Sequence, residues 1–123
     1  MKIRCARPTF AQQVDGTRAF FRSLNALGVT GVLDPGGYNM PIEEYRPLFQ
    51  VWRDRALTVR VAYSLCAPRR GRELEDLKAM TEAIPMGFGD EWLRFNGVGE
   101  NVDLTSDADP WRRPVEQAGV AGH

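Results

Sequence analysis

Hydrophobic positions along this chain follow two periods in alternation, one suited to helices and one to strands. Between residues 10 and 27 they fall at Phe10, Val14, Phe20, Phe21, Leu24 and Leu27, which gathers them on one face of a helix. Gly28 then stands where a helix C-cap glycine belongs. Val29-Thr30-Gly31-Val32-Leu33 is short, apolar and partly β-branched, and predicts a buried strand. Asp34-Pro35-Gly36-Gly37 ends it, because proline cannot continue a central ladder and glycine permits unusual turns. Ile42, Tyr45, Leu48, Phe49 and Trp52 mark a second helical face, interrupted at Pro47. A proline inside a helix loses a hydrogen bond and clashes with the preceding turn, so a kink or a fresh helix start is expected near Arg46. Residues 57–65 predict a second strand, with Val59, Val61 and Tyr63 alternating against Thr58, Arg60 and Ala62. Leu74, Leu77, Met80 and Ile84 predict a third helix over residues 72–84, set between loops at 67–71 and 85–89. Residues 92–98 predict a third strand, weakened at its end by Gly97 and Gly99.

Strands alternating with helices argue for a parallel sheet with right-handed crossovers. Residues 1–100 therefore read as one α/β domain, and residues 101–123 as a polar tail. That tail carries Pro110 and Pro114, then an Ala/Gly-rich end, and no periodicity. It is expected to be poorly ordered, or to pack only through Trp111. The 123 residues can bury a core, but a closed eight-unit barrel takes roughly 250. Three parallel strands would leave two unpaired edges, which invites a homo-oligomer.

Charge narrows the partners. Lysine plus arginine and aspartate plus glutamate both number 16, for a net charge of zero. No long-range field then draws nucleic acid or an anionic membrane, and short basic clusters such as Arg69-Arg70 and Arg112-Arg113 read as solvated surface. No apolar run approaches the ~20 residues of a membrane span, and the start of the chain lacks the apolar core of a signal peptide. Cys5 and Cys66 match no metal-ligand spacing and read as reduced thiols. The expected location is the cytoplasm.

Ligands of parallel α/β sheets bind at the carboxyl ends of the strands. The loops there run from Asp34 to Asn39, from Cys66 to Gly71 and from Gly99 to Asp103. Asp34 could hold a metal or orient a ligand, or close an Asx turn on its own backbone. Glu100 could be a metal ligand or an exposed loop acid. The glycines of DPGGY suit a tight turn and lack the spacing of a dinucleotide fingerprint; GFGDEW lacks the lysine of a phosphate loop. Catalytic zinc usually has three protein ligands, often histidines, and the one histidine is the terminal His123. Ser-His-Asp and Cys-His arrangements fail for the same reason. No catalytic residue is assigned.

In order, FFRSLNALGVTGVLDPGGYNM, EYRPLFQVWRDRALTVRVAYSL and GFGDEWLRFNGVGE resemble the amidohydrolase superfamily, in the branch called amidohydrolase family three. The resemblance covers residues 19–100 and rests on the joint order of these segments. It implies part of a (β/α)8 (TIM-type) barrel, with about three of its parallel strands alternating with helices. For the parent it implies hydrolysis of non-peptide C–N bonds in small amide-type substrates. A divalent metal, zinc, would activate water there. It implies that the His-x-His strand and later histidines lie outside this chain, so that the chain alone binds no metal. The family's bridging lysine falls in an element reading GVK; here GVGE puts Gly99 at that position. Glu100 is then the one metal-ligand candidate, and Asp34 a pocket-lining residue. After Glu100 the resemblance stops. Three readings follow: an inactive barrel fragment, a stand-alone α/β module that oligomerises through sheet edges, and an enzyme completed by a second polypeptide.

Overall fold

Thr9 opens the first helix. Its Oγ1 accepts from Gln12 N at 3.2 Å, while Gln12 Oε1 accepts from Thr9 N at 2.8 Å, a reciprocal cap that satisfies two donors the helix start would leave bare. The computed structural model describes residues 6–36, 40–69 and 71–99. Its elements are α1 (Phe10–Ala26), β1 (Gly31–Asp34), a 3-10 turn (Ile42–Tyr45), α2 (Arg46–Arg53), β2 (Arg60–Leu65), α3 (Glu73–Ala83) and β3 (Leu93–Val98). The first strand thus starts and ends later than its apolar run suggests, because Val29 and Thr30 are spent on leaving the helix. Gly28 takes φ 79°, and Val29 N donates to Leu24 O at 3.0 Å. Pro47 marks a fresh start, not a kink: the 3-10 turn ends and α2 begins with the proline in its first turn, where a missing N–H costs nothing.

α2 ends on Arg55 in the left-handed region, φ 54°. Arg55 N donates to Trp52 O and Ala56 N to Val51 O, the pairing that usually has glycine in this place. Arg55→Gly is therefore expected to raise stability by about 1 kcal/mol. A urea midpoint that stays put or falls would contradict this backbone reading.

The strands are all parallel, in the order β1-β2-β3. Two successive right-handed crossovers stepping in one direction place their helices on the same face of the sheet. Burial agrees. Val61, Tyr63, Leu65, Leu93 and Phe95 form a core with Val14 and Phe21 of α1, Tyr45, and Val51 of α2, and Met80 of α3 packs against it. Tyr63 is its aromatic hub, with ring centroids 5.7 Å from Tyr45, 5.3 Å from Phe49 and 5.7 Å from Phe95. The opposite face carries Leu33, Arg60, Ala62, Arg94 and Asn96, and no described helix covers it; Leu33 is 63% exposed, while Ser64, on the same side at the carboxyl end of β2, is 3% exposed. Parallel sheets normally have both faces covered.

Two expectations change. The apolar stripe of α1 is wider than what the sheet covers: Val14 and Phe21 are buried, but Phe20 is 59% and Leu27 79% exposed. The two strand edges also differ. Gly87 N donates to Phe95 O, Phe95 N to Phe88 O and Asp90 N to Leu93 O, each at 2.9 Å, so residues 87–90 fold back over the outer edge of β3. The edge of β1 has no such cover among the described residues. One open edge remains where two were expected.

Among the described residues, no helix is long and apolar enough to cross a membrane. Residues 101–123, with Trp111 and His123, lie outside the described residues, as do Cys5 and Glu100.

Candidate functional site at the carboxyl ends of the strands

The three strands deliver their last residues to one place. A β-carbon on Gly36 would lie 2.9 Å from Cys66 Sγ and 3.2 Å from Gly99 Cα, and one on Gly99 would lie 2.2 Å from Pro35 O. Gly99 N donates to Leu65 O at 2.7 Å. The turn after β1 therefore crosses the end of β2 and touches the end of β3, with glycine on both sides of the contact. Gly36 takes φ 85°, which glycine adopts without the clash other residues meet. A break in register falls between Tyr63 and Ser64, where Asn96 of β3 is skipped, the mark of a bulge next to this meeting point.

Asp34 closes β1. Its Oδ1 accepts from Gly36 N at 2.9 Å, which is the Asx turn, one of the two roles open to it from sequence. It also stands on the wall of a groove of about 720 Å³ between α1, β1 and the 3-10 turn, with Phe20, Phe21, Leu33 and Tyr45. Tyr45 is buried, and its hydroxyl donates to Ser64 O at 3.0 Å. Burial, joined by the nearby Asp34 carboxylate, pushes that hydroxyl well above the ordinary phenol range. Cys66 is a free, buried thiol. Burial first and the Asp34 charge second push it up, which favours the protonated, weakly nucleophilic form.

Chemically this end is poor in ligands. Among the described residues no three His, Cys, Asp or Glu side chains gather closely enough to hold a metal ion. Asp34 is committed to a backbone turn, and Cys66 is held protonated. The Glu100 candidate lies outside the described residues.

Two acidic residues with defined partners were not singled out from sequence. Asp76, buried on α3, accepts from Arg69 N at 3.0 Å and Arg69 Nε at 2.8 Å. The guanidinium beside it holds its carboxyl below the usual range, so Arg69 is a paired residue rather than plain solvated surface. Asp90, at the opposite end of the sheet, accepts from Trp52 Nε1 at 2.9 Å and Trp92 N at 2.8 Å, which lowers its pKa, the Trp52 indole contributing most. It borders a cavity of about 620 Å³ with Trp52, Arg53, Arg55 and Trp92. Asp76 is held by Arg69, and Asp90 by the Trp52 indole and its own turn, a structural employment for both.

Compared with models of protein families, with curated proteins and with solved structures, the chain matches none. What is established is therefore an α/β protein with an open, three-stranded parallel sheet.

Proposed function

We propose that this chain is a three-strand sector of a (β/α)8-type barrel of the amidohydrolase kind, inactive by itself. The supporting observation is the singly wound sheet, with strands in chain order, helices on one face and the other face bare of any described helix. In a barrel the bare face is the lumen side and the helical face the outer ring. The carboxyl ends, where Asp34, Cys66 and Gly99 meet, would then open on the active site. The ordered resemblance over residues 19–100 adds the chemistry, hydrolysis of a C–N bond in a small amide-type substrate in the cytoplasm. The described residues do not fit a zinc ion, so no catalytic step is assigned to them. Glu100 keeps the metal-ligand role only through the resemblance, and Asp34 lines the pocket.

Elemental mass spectrometry of the dialysed chain tests this. Less than about one equivalent of zinc is expected, since the described residues gather no ligand set. Stoichiometric, tightly held zinc, or amide hydrolysis by the purified chain, would sink the reading. A second reading is favoured by a different observation, the open edge of β1: a stand-alone module that associates through its sheet.

A further inference from the structure

The edge of β1 points to its own occupant. Arg60 N donates to Thr30 O at 3.0 Å, and Gly31 pairs in register with Arg60. In a parallel ladder the residues alternate in the side to which their N–H and C=O point. Val32 therefore bonds to β2, while the backbone groups of Gly31 and Leu33 face outward. No backbone partner meets them among the described residues. Beside this edge lies the groove walled by Phe20, Leu24, Val32 and Leu33. An open backbone edge next to exposed apolar side chains is the combination that recruits another strand.

We propose that a second copy of this chain fills it, with the two β1 strands antiparallel about a two-fold axis at Val32. The inference rests on the second reading above. Three features select a copy of the chain itself. Centred on Val32, the pairing sets each Gly31 opposite the partner's Leu33, and a hydrogen-bonded antiparallel pair exchanges both its bonds. Gly31 also supplies the space that the partner's Leu33 needs: a β-carbon there would meet nothing closer than 3.7 Å. With a net charge of zero, two copies approach without long-range repulsion. Because residues 87–90 cover Leu93 and Phe95 on the far edge, each chain offers one edge among its described residues. Association then closes at the dimer, joining the two three-stranded sheets, and does not run on into a filament. Phe20 and Leu24 of each copy line the junction, adding the apolar area that a short strand pair lacks.

The test is light scattering coupled to size exclusion on the full chain and three variants, with circular dichroism to confirm folding. The wild type is expected at twice 13.8 kDa. Leu33→Lys puts a charge on the edge, and Gly31→Lys fills the space the partner's Leu33 requires; both are expected to run as folded monomers. Val98→Lys, at the end of β3, is expected to leave the dimer intact. If Leu33→Lys fails to fold, Gly31→Lys decides. Hydrogen exchange on the wild type gives an independent reading: the Gly31 and Leu33 amides should slow with rising protein concentration, while those bonded within the sheet should not change. A dimer that survives both β1 variants overturns the β1 junction but leaves association through the sheet standing. A dimer that Val98→Lys also breaks, or assemblies beyond the dimer, overturn it too. A wild-type monomer overturns both, even if the β1 amides are protected by another segment of the same chain.

Discussion

Phe95→Ala is expected to destabilise the fold by about 3–5 kcal/mol, the usual cost of truncating a buried phenylalanine. Phe95 is 1% exposed and is the largest of the fully buried side chains. Its ring meets Tyr63, the aromatic hub between α2 and the sheet. Its backbone also accepts from Gly87 and donates to Phe88, so one residue ties the core to the segment that covers the β3 edge. Collapse around the lost ring would move that segment, and the uncovered alternative exposes a cavity. Total stability for a domain is ~5–15 kcal/mol, so the variant loses about a fifth of it or more. In a domain of this size the melting temperature should fall by roughly 15–25 °C. Phe95→Leu keeps most of the volume and should cost less than about 2 kcal/mol. Equal losses in the two variants would show that ring volume is not what matters at this position.

Much of this fold is legible in the sequence because periodicity reports which residues share a face. The alternation of Val59, Val61 and Tyr63 against Thr58, Arg60 and Ala62 corresponds to the buried and less buried sides of β2 and its approach, and Pro47 located the start of α2. Periodicity does not report what lies against a face. Phe20 and Leu27 lie about 100–140° around the helix axis from Val14 and Phe21, at the margin of the apolar stripe, and only the latter two are covered. It is silent again where a contact joins a loop to an element. Arg69 reaches Asp76 across the start of α3, and residues 87–90 bond back to β3 through Gly89 at φ 132°; neither carries a repeat, and residues 85–89 read as plain loop. The Asp34 turn was foreseeable as one of two roles, since an aspartate before Pro-Gly can always bond its own backbone. Only the three-dimensional crossing of the β1 turn over β2 reveals the convergence of Gly36, Cys66 and Gly99.

That convergence makes Gly99→Ala the second large effect. A methyl group there would stand 2.2 Å from Pro35 O and 3.0 Å from both Cys66 Sγ and Gly36 Cα. Two of those neighbours are backbone, so no side-chain rotation relieves the overlap, and the turn after β1 must lift off the end of β2. Overpacking of this kind costs about 1–3 kcal/mol. Displacing the Gly36 turn also endangers the bond from Gly36 N to Asp34 Oδ1, adding about 1 kcal/mol, so the expected loss is roughly 3 kcal/mol. Gly16→Ala is the control: its new methyl meets nothing within 4 Å, and inside α1 it should raise stability by about 0.5–1 kcal/mol. Chemical denaturation of both variants measures the difference. Cys66 supplies a second readout. Its thiol is buried under this crossing, so Gly99→Ala should accelerate its reaction with a small disulfide reagent while Gly16→Ala leaves the rate unchanged. If Gly99→Ala matches wild type in both stability and thiol reactivity, the three strand ends do not meet as described. Asp34 and the end of β3 would then not share one site.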